Sequence, residues 1–177
     1  CIYNQADMSG EAIGPMNKAI EYLQKDKEWI TYAYRQRASI NQKLGNEIAA
    51  LDDYALSLKV NSKDVYTLSD RAEFYYQKDM YSESDADYDR ICQIEPGNTL
   101  GYMGKGRNAF MNKRYQEAAE LFSHCIRLDH SFSQAYAYRS ECYLKLNCID
   151  EGLDDIISAL NLDNNSIAYN LMMQVGE

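Results

Sequence analysis

The chain has 177 residues, of which 46% are hydrophobic, and carries a formal net charge of −9 with a pI near 4.7. The core material excludes intrinsic disorder, and the acidic balance argues against nucleic acid or anionic lipid as the main partner. No apolar run approaches the roughly 18 residues that cross a bilayer; two prolines and nine glycines leave few helix breakers, so an all-α chain is expected.

In chain order, the first predicted element is an amphipathic helix from Pro15 to Lys25, led by Gly14-Pro15 because proline suits a first helical turn. It reads as an N-terminal cap or a decayed repeat within residues 13–30. Trp29 and Ile30 begin the next helix early. From there the chain repeats every 34 residues. Small residues recur at Ala38, Ala72, Gly106 and Ser140, and a base precedes each at Arg37, Arg71, Lys105 and Arg139. Large residues stand at Tyr34, Leu68, Tyr102 and Tyr136. A second small column (Ala50, Ser84, Ala118, Gly152) precedes a second large one (Tyr54, Tyr88, Phe122, Ile156). Such a period marks a stacked repeat array, whose usual work is holding other molecules.

Each unit reads as two helices, over 31–64, 65–98, 99–132 and 133–166 of a single repeat domain spanning 1–177. In the third unit, Leu100 to Asn112 places Tyr102, Met103, Gly106, Ala109 and Phe110 at helical spacing. A turn follows at Asn112-Lys113-Arg114. Tyr115, Ala118, Ala119, Phe122 and Ile126 then form an i, i+3, i+4, i+7 stripe. Glu95-Pro96-Gly97-Asn98 closes the second unit, proline stopping the helix. Asp129-His130-Ser131 and Asp163-Asn164-Asn165-Ser166 are turn and capping residues. The small columns let paired helices approach closely while the large ones fill the space between neighbours. Ile167 to Val175 is a last short helix over 167–177. It caps the final core face, and a truncated fifth unit or a self-association surface stays open as the alternative.

These columns, with Tyr75/Tyr143, Tyr81/Tyr115 and Pro96, resemble the tetratricopeptide repeat family over roughly residues 31 to 164. The resemblance implies an all-α α-solenoid of stacked antiparallel helix pairs, wound as a right-handed superhelix. Asn41 stands where the family has an aromatic, Ser84 and Gly152 where it has alanine, and these departures are expected to loosen local packing.

Chemistry is sparse. His124 and His130 lack the spacing of a zinc enzyme, and Gly101 to Gly106 follows no strand, so its glycines point to close packing rather than a phosphate loop. Acidic runs such as Glu83 to Asp87 are solvated helix faces. No catalytic residue, cofactor or metal is expected. The five cysteines form no CxxC pair and fall largely on packing positions, which favours a reducing, cytoplasmic compartment. The alternative is an exported bacterial lipoprotein anchored through Cys1, since processed chains of that kind begin with cysteine.

The family resemblance implies that the first helices of successive units line a concave groove. The groove columns carry over to Tyr32, Arg35, Ser39 and Gln42; to Tyr66, Ser69, Asp70, Glu73 and Tyr76; to Leu100, Met103, Arg107, Phe110 and Met111; and to Gln134, Tyr138, Glu141 and Leu144. Aromatic and methionine anchors with charges alternating in sign suit a peptide or helix of another protein. The expected function is therefore a non-enzymatic protein–protein interaction scaffold or adaptor. The alternative is an assembly subunit that self-associates, or docks in a larger complex, through its terminal helices. Family members that clamp the acidic tail of heat-shock chaperones use cations and asparagines at places that here hold Arg35, Ser39, Asp70, Leu100 and Gly104. That set cannot grip a carboxylate, so a chaperone co-factor of that kind is disfavoured.

Overall fold

A computed structural model describes the backbone of residues 3–23, 25–163 and 166–175, and the side chains of residues 12–23, 25–163 and 167–174. Cys1, Asn164 and Asn165 lie outside the described residues. The fold is all-α, built from antiparallel helix pairs, in two compact units, Cys1–Lys78 and Asp79–Glu177. The first holds α1 (Tyr3–Tyr22), α2 (Lys27–Lys43), α3 (Glu47–Val60) and α4 (Val65–Gln77). The second holds α5 (Tyr81–Ile94), α6 (Thr99–Met111), α7 (Tyr115–Leu128), α8 (Ser133–Lys145), α9 (Ile149–Leu162) and α10 (Ser166–Val175).

Helix α1 starts earlier than Pro15 and runs through it. Gly14 and Pro15 are both exposed there, so water can replace the hydrogen bond that proline removes. The helix also stops before Lys25, because Asp26 is taken as the cap of α2 and accepts from the Glu28 and Trp29 amides at 3.1 and 3.2 Å.

The turn from first to second helix repeats with the sequence. Gly45, Asp79, Lys113 and Asn147, each 34 residues on, have φ of +77°, +58°, +60° and +62°. In three of these turns the N–H one residue later reaches back to a helix carbonyl: Asn46 to Asn41, Arg114 to Ala109 and Cys148 to Tyr143, at 2.8, 2.8 and 2.9 Å. Only the first unit has the glycine that the left-handed backbone favours. Exchanging Lys113, an exposed lysine, for glycine is therefore expected to raise stability by about 1 kcal/mol, read as a higher urea midpoint. An unchanged or lower midpoint would contradict the assigned turn.

The base column has a structural purpose. Arg37 grips Asp53, 16 residues on, through Nε and Nη2 at 2.9 and 2.5 Å, and Nη1 donates to Asn17 of α1 at 2.7 Å. Arg139 repeats the motif on Asp155 at 2.7 Å for both bonds and donates to Ser123 of α7 at 2.9 Å. Each arginine thus ties three helices together, and its guanidinium lies over the large column, Tyr34 at 5.7 Å and Tyr136 at 5.6 Å. In the third unit Leu121 occupies the acid's place, and Lys105 turns instead to Asp89 of α5 at 2.6 Å.

The three expected weak points in packing are compensated. Asn41 is buried and donates to Asp53 at 3.0 Å, so it serves the ion pair an aromatic could not. At Gly152 a Cβ would stand 3.0 Å from Leu144, whose side chain fills the space. Ser84 is fully buried, with its hydroxyl 3.5 Å from Asn108 Oδ1.

Candidate peptide-binding groove

The first compact unit sets α2 beside α4, and their facing residues form a groove. Asp26 and Asp64 cap the two helices, which brings Trp29 and Tyr32 on α2 and Tyr66 on α4 to the same end. All three rings are exposed, at 57%, 46% and 68%. Trp29 and Tyr32 meet edge to face at 6.1 Å. The Arg35 guanidinium lies over Tyr32 at 5.4 Å and over Tyr66 at 5.2 Å, and pairs with Asp70 at 3.6 Å.

That bridge divides two depressions. One, of about 450 Å³, is aromatic, lined by Trp29, Tyr32, Arg35 and Tyr66 with Glu28 and Asp64. The other, of about 430 Å³, is polar, lined by Ser39, Gln42, Lys43, Asp70 and Glu73 over the ring of Tyr54. The buried Tyr54 hydroxyl donates to Gln42 at 3.2 Å, and Gln42 donates to Gln77 at 3.0 Å across the groove. Burial raises the Asp70 carboxyl above its ordinary pKa, with Arg35 opposing and Asp64 adding to the rise. Burial likewise raises the Tyr54 phenol, again with Asp70 adding to the rise and Arg35 opposing it.

The sequence-predicted residues therefore divide. In the first unit Tyr32, Arg35, Tyr66, Asp70 and Glu73 share one groove, while Tyr76 is half-buried and lines neither depression. In the second compact unit Leu100, Met111 and Gln134 stay exposed, but the other groove candidates are half-buried or drawn into packing. Met103 is a core residue, 8% exposed, and so is withdrawn from the candidate surface. Tyr138 stacks on Phe122 at 5.5 Å, Phe110 packs edge to face on Tyr115 at 5.3 Å, and Leu144 fills the space at Gly152. Arg107 and Glu141 are half-buried on α6 and α8; burial raises the Glu141 carboxyl, with Lys145 opposing. Trp29 is the groove residue that column reasoning passes over. It lies before the first repeat column, and an aromatic one turn ahead of Tyr32 is the signal that could have found it.

Of the five places matching a chaperone-tail clamp, Ser39 lines the polar depression beside Asp70 and Glu73, and the other four offer a carboxylate no unopposed cation. Arg35 is already paired, Asp70 is an acid, Leu100 is apolar, and at Gly104 a side chain would collide with the buried Tyr88 ring. Among the described residues no group of three His, Cys, Asp or Glu could hold a metal ion, and no helix is long and apolar enough to cross a membrane. The thiols of Cys125 and Cys142 are pushed up to about 12 by burial, which leaves them inert.

Comparison with known proteins bears on the fold. No family model matches the chain. A TPR repeat-containing protein of Methanocaldococcus jannaschii is 24% identical over 94% of the chain, which spans 31% of that relative's length. The crystal structure of MamA matches with a TM-score of 0.74 at 14% identity, covering 87% of this chain and 88% of that one. The first TPR of Spaghetti (RPAP3), solved with the HSP90 peptide SRMEEVD, matches with a TM-score of 0.61 at 21% identity, covering 66% of this chain and 93% of its own.

Proposed function

On the premise that this chain is a tetratricopeptide repeat protein, we propose that it holds a peptide or helical segment of a partner protein in the groove between α2 and α4. The chain is a non-enzymatic interaction scaffold, and the groove is its working face. The observation that carries this is the exposure of Trp29, Tyr32 and Tyr66 together beside a bridged pair of charges. Three large aromatics on one edge cost free energy in water, and exposed clusters of this kind are where interfaces find their anchors. The groove is unsuited to an acidic tail such as the one bound by the Spaghetti domain, because its cations are opposed by carboxylates.

The test is affinity capture from native lysate, comparing wild type with a Tyr32→Ala/Tyr66→Ala variant checked for unchanged helicity and melting. A partner held by wild type and reduced about tenfold or more by the variant is expected. The same partners on both would sink the groove. The exposed Tyr169, Met172 and Met173 of α10 would then be the surface to follow, in keeping with an assembly subunit.

A further inference from the structure

We infer that the aromatic depression at the N-terminal ends of α2 and α4 takes a basic side chain, a lysine or arginine of the partner segment. This rests on the groove reading above and gives it a polarity.

The first argument is the presentation of the rings. Tyr32 and Tyr66 already receive a guanidinium at 5.4 and 5.2 Å, that of the chain's own Arg35. The geometry of this site thus suits a cation. With Arg35 over those two rings, an incoming one falls to the third, the exposed Trp29, the most favourable aromatic partner for a cation. The second argument is charge. The aromatic depression has two carboxylates in its lining, Glu28 and Asp64, against one base, Arg35, which is itself paired with Asp70. Counting both depressions, Glu28, Asp64, Asp70 and Glu73 face Arg35 and Lys43, so four acids stand against two bases. An incoming carboxylate meets a net negative rim, whereas an incoming ammonium or guanidinium is attracted by the rim and by the ring faces together. The size also fits: a depression of about 450 Å³ accommodates a long side chain and the stem that carries its charge.

The chain carries its own reporter, since Trp29 is its only tryptophan. The probes are acetylated, amidated nonapeptides of glycine and serine around one central arginine, glutamine or glutamate, titrated against the full chain while Trp29 emission is followed. The arginine peptide is expected to perturb the emission and bind about fivefold more tightly than the glutamine peptide, with the glutamate peptide weaker still. Raising the salt to 0.5 M should narrow the gap, because the rim is exposed to screening. Tyr66→Ala should abolish the difference by removing one wall. Glu28→Lys should erase or invert the preference at unchanged helicity. Equal binding of the three peptides, all weakened by Tyr66→Ala, would overturn the cation preference and leave the groove standing. No perturbation by any peptide would overturn it as well, and the capture experiment then judges the groove by itself. A preference for glutamate would refute it outright.

Discussion

Asp155→Ala is expected to destabilise the second compact unit by about 3–5 kcal/mol, because it strands a half-buried arginine. The Asp155 side chain is 7% exposed and Arg139 19%, and the two carboxylate oxygens take Nε and Nη2 of that arginine. Without the acid, the guanidinium stays wedged between Tyr136 at 5.6 Å and Tyr143 at 5.7 Å, with the Ser123 hydroxyl as its remaining acceptor. Removing one partner of a buried pair costs far more than replacing both by apolar residues of similar size. The double variant Arg139→Met/Asp155→Leu should therefore recover most of the loss. The chain contains a natural step in that direction, Leu121 at the acid's place in the third unit. Thermal melting reads the difference as a fall of roughly 6–20 °C for the single variant at this chain length. A single variant that melts within about 2 °C of wild type would mean that the pair adds nothing to stability.

That ion pair also marks the limit of what the chain discloses before folding. The base column was legible as a period, but its reason lies 16 residues away, at Asp53 and Asp155, in a column that Leu121 interrupts. Spacing alone does not connect two columns; the hairpin does, by laying the first helix against the second. The helix pairs themselves were legible because small and large positions alternate strictly enough to survive substitutions such as Ser84 and Gly152. The groove was legible only on α2 and α4. A column assigns a residue to a face of its helix, yet the neighbour decides whether it stays there. Asp70 lines the polar depression, whereas Tyr138, two periods further on in the same column, lies flat on Phe122. Met103 likewise sinks into one buried cluster with Ala109, Phe122 and Cys125. Trp29 escaped because it precedes the first full period, so no repeat pointed to it.

Gly104→Ala should be the other large effect, lowering stability by about 2–3 kcal/mol even though alanine is the better helix former by about 1 kcal/mol. On α6 three glycines each admit a neighbour. A Cβ at Gly101 would stand 2.6 Å from the Cys92 sulfur, one at Gly106 would stand 2.6 Å from the Phe122 ring, and one at Gly104 would overlap Cζ, Cε1 and Cε2 of Tyr88. Tyr88 is 3% exposed and held in the core, so its ring cannot swing aside as a surface side chain would. Tyr88→Leu removes the overlapped atoms, and in that background the alanine should cost markedly less. Gly97→Ala, with nothing within 4 Å, is the neutral control. Equal costs of Gly104→Ala in both backgrounds would show that the ring is not the obstacle. The result matters for selectivity as well as stability. Gly104 is the place where clamp-type relatives are expected to present a cation to an acidic tail, and here the aromatic of the preceding helix fills it. Introducing Gly104→Arg should therefore unfold the contact between α5 and α6 before it creates a carboxylate site. On the groove reading proposed above, the Tyr88 ring beneath Gly104 opposes that mode of binding, and the arginine, glutamine and glutamate peptides decide which charge the aromatic end of α2 and α4 takes.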